Sequence, residues 1–217
     1  MRIRQETFDA VFGTVYVALM TNLMLICACL PLVAALLTTD PARSWPLLAV
    51  LAPVCVPGVC AAFAVLAAFS ADRSTAVVGT FVRAWRASLR RGIALGAIAT
   101  AALVVLGVDV RAAWGHPAGA AAIPVLLVAM VLVAATALLT AVLLAERPAV
   151  RLRDAGRACL YLAVRHWYLT VVSLGVLALL QALLASRPAI ALGLAAAPLL
   201  YVVWANSRFT LRSALAQ

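Results

Sequence analysis

Phe81-Val82-Arg83-Ala84-Trp85-Arg86-Ala87-Ser88-Leu89-Arg90-Arg91-Gly92 decides how this chain is read. Val78, Phe81, Val82, Trp85 and Leu89 recur at helical spacing, with Arg83, Arg86 and Arg90 between them. The pattern predicts a basic amphipathic helix, and a continuous apolar run follows from Ile93. About 75 residues later Arg151, Arg153, Arg157, Arg165 and His166 precede another apolar run, which starts at Tyr168. Each arginine held at mid-depth in hydrocarbon costs about 2.5–3.5 kcal/mol. Both basic segments are therefore expected to lie on the membrane surface rather than through it, at about 72–91 and 150–166.

Composition supports a membrane setting. The 217 residues are 67% hydrophobic and 11% charged, with mean hydropathy +1.13. Soluble domains carry about a quarter charged residues. The apolar runs are long and continuous rather than alternating, which excludes a β-barrel and leaves helices as the spanning elements. The expected fold is an all-α, polytopic transmembrane helical bundle in a single integral membrane domain. Its spans fall at about 11–37, 45–69, 93–108, 121–145, 168–185 and 189–206, with two amphipathic interfacial helices on the cytoplasmic side. The first span is long enough to break near Pro31. Pro53 and Pro57-Gly58 predict a kinked or locally unwound second span, and Ser74 is the expected N-cap of the first basic helix.

The cationic excess is all arginine, without lysine, a bias expected of a GC-rich genome. Fourteen arginines fall in the two termini and the two basic segments, whereas Arg43, Arg111 and Arg187 occupy the alternate loops. The positive-inside rule then orients six spans with both termini cytoplasmic in a bacterial inner (plasma) membrane. Anionic headgroups account for the basic segments, and no nucleic-acid recognition motif accompanies them. The membrane-surface or partner-contact residues are Arg83, Trp85, Arg86, Arg90, Arg91, Arg157, Arg165 and Trp167, with both tryptophans expected to anchor in lipid.

The five cysteines, Cys27, Cys29, Cys55, Cys60 and Cys159, form no Cys-x-x-Cys and read as buried free thiols. Ile26-Cys27-Ala28-Cys29 resembles a lipoprotein cleavage box. Apolar residues follow it, and Glu6 and Asp9 precede the span, so an uncleaved anchor is expected. His116 and His166 are far apart, and no acid pair, metal-ligand cluster or nucleophile elbow occurs. Neither catalysis nor a cofactor or metal site is expected. The spans also lack interior carboxylates or histidines of the kind ion-coupled carriers use. Asn22, Pro57 and Gln181 remain as an intramembrane polar site, with Thr100, Thr136, Thr140, Ser173 and Asn206 as further uncharged polar groups. Gly92-x-x-x-Gly96 permits close helix approach. The 75-residue offset lays the second span on the fourth and the third on the fifth, as in a parallel repeat.

Several stretches together resemble the YesL family of bacterial membrane proteins. They are Thr21-Asn22-Leu23 with Pro31 in the first span, Pro57-Gly58-Val59-Cys60-Ala61-Ala62 in the second, Phe81 to Gly92, and Asp154-Ala155-Gly156-Arg157-Ala158 continuing through Ala163 to Trp167. The family tends to carry Gly-Pro-Ala where Val56-Pro57-Gly58 stands here. The resemblance implies an inner-membrane accessory component associated with carbohydrate uptake or utilisation, with sugar ABC transporter subunits as partners, and supplies no catalytic residues. The six spans and Asp154-Ala155-Gly156 also resemble a sugar permease and its coupling loop, without that loop's Glu-Ala-Ala start. An autonomous small-solute transporter or channel is the alternative.

Overall fold

A computed structural model describes residues 2–40, 43–116, 119–147, 150–187 and 190–215; the side chains of 2–11, 120 and 212–215 are outside the description. The expected turn at Pro41, the loop proline Pro117, Pro188, and the side chains of Arg2, Arg4 and Arg212 lie outside the described residues.

The chain is an all-α bundle, without a strand among the described residues. The helices are α1 (Arg2–Ala28), α2 (Leu30–Thr38), α3 (Trp45–Asp72), α4 (Val77–Ala113), α5 (Gly119–Glu146), α6 (Leu152–Arg165), α7 (Trp167–Ser186), a π-turn (Ala191–Ala195) and α8 (Ala196–Leu215). Among the described residues α3, α4, α5 and α7 are long and apolar enough to cross a membrane, and the α1–α2 pair, bent by 75°, is so only when its two helices are taken together. The bend falls at Cys29, just ahead of Pro31, whose ring excludes the carbonyl four residues back. The sixth expected span, 189–206, is divided between the π-turn and α8.

The first basic segment is not a separate interfacial helix. It is the N-terminal half of α4, which runs unbroken for 37 residues into the apolar half. At 1.5 Å per residue α4 is about 55 Å long, against a hydrocarbon core of about 30 Å. The arginine-bearing turns are the part that overruns. α4 begins later than expected, with Ala76 as its N-cap, and Ser74 Oγ only accepts the Ala76 N–H at 3.4 Å. α6 is separate and amphipathic, with His166 as its C-cap, and packs one face on the bundle. Ala155, Cys159, Leu162 and Ala163 are buried, while Leu160, Tyr161 and Val164 face outward.

α3 remains helical through both internal prolines rather than unwinding. Because Pro57 has no N–H, Pro53 O loses its helical donor. α4 covers that gap. A Cβ on Gly96 would lie 2.7 Å from Pro53 Cα, 2.8 Å from Val56 Cγ2 and 3.1 Å from Pro53 O; one on Gly92 would lie 3.0 Å from Pro57 Cγ. The glycine Cα–H groups thus meet the proline backbone directly, and on Gly96 the hydrogen in the Cβ position points at the freed carbonyl. α1 packs by the same device, since a Cβ on Gly58 would lie 3.0 Å from Ala28 Cβ. The Gly92–Pro57 and Gly96–Pro53 pairs fix α3 and α4 as antiparallel. Extending that register places Arg83 to Arg91 beside the second half of α3, where Cys60, Ala61, Ala62, Phe63, Val65 and Leu66 are all buried. Much of the apolarity read as lipid-facing span is therefore protein core.

Candidate functional site

Asn22 is 2% exposed and joins α1 to the irregular start of the last helix. Its Nδ2 donates to Gly193 O at 2.9 Å, and its Oδ1 accepts the Ala197 N–H at 2.7 Å. In an α-helix Ala197 N–H would bond Gly193 O directly, four residues back. The Asn22 amide is inserted into that bond and satisfies both ends. Beside it, Ala196 N–H reaches back five residues to Ala191 O, the π-turn register, and Pro198 supplies no N–H. Side-chain insertion and proline together account for the turn.

The three expected intramembrane polar residues meet different surroundings. Asn22 clips the π-turn, Pro57 is buried against Gly92, and Gln181 is exposed on α7. A second polar clip, at Asn206, was visible in sequence only as one uncharged polar group among several. Its Nδ2 lies 2.6 Å from Leu169 O and 2.7 Å from Ser173 Oγ, tying α8 to α7. α7 is otherwise thinly held, with Ser173 its one buried residue among those described. Asn206→Leu is expected to cost about 1 kcal/mol. Limited proteolysis should then cut faster at the α6–α7 junction, around His166, while the α3–α4 pair stays protected. Unchanged cleavage there would show that α7 is held by other means.

Two outward-opening grooves of about 500 Å³ each mark the surface of the bundle. One, between α1, α3 and α8, is lined by Thr14, Val17, Phe69, Arg73 and Pro198 among others. Arg73 has φ 51°, caps α3 through Phe69 O, and places its guanidinium 5.5 Å from the Phe69 ring centre. The other groove lies between α4, α5 and α6, with Arg153 and Arg157 among its lining residues.

Arg83, Arg86, Arg90, Arg91, Arg157 and Arg165 are all exposed on the surface of the bundle. Trp167 is 67% exposed, in keeping with a surface aromatic. Trp85 is turned inward instead: it packs against the core, and its Nε1 is buried with no hydrogen-bond partner among the described residues. Trp204, which hydropathy read as ordinary span, is 2% exposed, with Arg208 5.0 Å above its ring and the Arg208 Nε 3.3 Å from Glu146 Oε1. Four cysteines are buried as free thiols, and Cys27 is exposed. Burial pushes the Cys159 thiol pKa up, an effect its Thr140 contact partly opposes. Among the described residues no group of three His, Cys, Asp or Glu side chains can hold a metal ion.

Fold and surface together define a membrane-embedded helical bundle with an arginine-bearing face. No protein-family model matches the chain, and no curated protein or solved structure matches it either.

Proposed function

We propose that this chain is a multi-pass accessory protein of the bacterial inner membrane, of the YesL-like type, with both termini cytoplasmic. In this reading its arginine face meets anionic headgroups and the subunits of a sugar ABC transporter. The observation that carries it is the asymmetry of α4. Val77, Phe81, Ser88 and Gly92 are buried on one side, while Arg83, Arg86, Arg90 and Arg91 lie outside that buried set. A helix locked to α3 on one face presents its guanidinium groups from a rigid frame, which suits docking better than a freely floating amphipathic helix would. The autonomous-transporter reading has less to draw on. Asn22 satisfies both backbone groups of the inserted bond at the π-turn, and the grooves are lined mainly by apolar side chains.

Purification in mild detergent from the native host tests the proposal. Permease subunits should co-purify in near-stoichiometric amount, and exchanging Arg83, Arg86, Arg90 and Arg91 for Gln should reduce their recovery about tenfold with the protein still folded. Solute flux through proteoliposomes containing this chain alone would establish the transporter reading instead. Reporter fusions check orientation, and an exported C-terminus would overturn it.

A further inference from the structure

The α4–α5–α6 groove combines two features that a phospholipid requires. Its walls are apolar, formed by Leu95, Ile98, Ala99 and Ala102 of α4 and Leu132 and Val133 of α5. Ile98 is 64% exposed and Leu160 45%, so the groove opens outward where an acyl chain can enter. Arg153 and Arg157 line it one helical turn apart on α6, on the same helix face and both exposed. Asp154, between them in sequence, does not line the groove. Arg151, the N-cap of α6, makes no side-chain cap bond, so first-turn N–H groups add their dipole near the arginine pair. The groove floor has room at α6 as well, because a Cβ on Gly156 would meet nothing within 4 Å.

We infer that this groove is a binding site for a glycerophospholipid with a singly anionic phosphodiester headgroup. One acyl chain lies between α4 and α5, and the phosphate is paired by Arg153 and Arg157. A guanidinium pair matches phosphate oxygens in geometry as well as charge, and basic pockets between membrane helices are suited to anionic headgroups. The inference rests on the proposed orientation, which turns the arginine-rich end toward the anionic cytoplasmic leaflet.

The test uses full-length protein in neutral detergent, incubated with phosphatidylglycerol or phosphatidylcholine and read by native mass spectrometry. Wild type should retain phosphatidylglycerol in preference to phosphatidylcholine. Arg153→Gln with Arg157→Gln should lower the retained phosphatidylglycerol about tenfold. Gly156→Phe, which fills the groove from an open position, should exclude both lipids. Arg111→Gln with Arg187→Gln removes the same charge but from residues that do not line the groove, and should stay within about twofold of wild type. Equal retention of the two lipids by wild type would overturn the preference for a net-anionic headgroup, and undiminished retention by the double arginine variant would overturn the phosphate pairing. Wild-type retention by the double arginine variant and by Gly156→Phe would overturn the site. If Gly156→Phe abolished permease recovery without changing lipid retention, the groove's occupant would be a partner helix and the inference would fail. Should Gly156→Phe not fold, the arginine pair still decides. Reporter fusions that placed this end outside would defeat the orientation while leaving the detergent result standing, so the two failures are separable.

Discussion

Gly96→Leu is expected to remove most of the folded protein, a larger loss than either asparagine substitution causes. The position has no free volume: its Cβ would sit 2.7 Å from the Pro53 Cα, which is backbone and has no rotamer through which to yield. α3 and α4 would have to separate along their most extensive contact. Overpacking a well-filled interior costs about 1–3 kcal/mol, and a backbone obstacle puts this case at the upper end. A fall of about 10 °C in unfolding midpoint is expected where protein is recovered at all. Gly107→Leu is the matched control on the same helix, since a Cβ there meets nothing within 4 Å. Thermal unfolding in detergent compares them. Equal midpoints for the two variants would mean the helices do not cross where Gly96 meets Pro53.

Asn22→Leu should have the next largest effect, about 2 kcal/mol or roughly 5 °C. The substitution removes both the donor to Gly193 O and the acceptor for the Ala197 N–H. The two groups then lose their side-chain partner unless the helix drops its π-turn and re-forms their direct bond. Pro198 opposes that recovery, because its ring crowds the Leu194 carbonyl of a regular helix. Adding Pro198→Ala to Asn22→Leu should therefore restore part of the lost stability. Additive or worse behaviour in the double variant would show that Asn22 does not act through the π-turn.

These two sites differ in how far sequence could anticipate them. Asn22 stood out because an amide inside an apolar run must find a partner, but its partners lie 171 and 175 residues away. They are also backbone atoms, whose availability no residue identity announces. Gly92 and Gly96 were visible as a spacing, and Pro53 and Pro57 as a second one. That each pair completes the other is a matter of register. The same register explains why the 75-residue offset does not yield two equal units. The positions matching Gly92 and Gly96 hold Trp167 and Val171, and those matching Pro53 and Pro57 hold Val128 and Leu132. Consistent with this, α7 touches α5 only slightly, whereas α4 lies flush on α3.

Hydropathy and charge spacing determined by themselves that the chain is helical and membrane-embedded, because lipid admits only backbones that satisfy their own hydrogen bonds. They also placed α3, α5 and α7 to within a few residues. Only the tertiary structure decided that the first basic segment is the outer half of a single long helix. It alone decided that Trp85 and the second half of α3 belong to a protein core, and that Leu160, Tyr161 and Val164 do not. Apolar side chains carry the same sequence signal whether lipid or another helix covers them. Which of the two does so is set by backbone approach, here by glycine against proline.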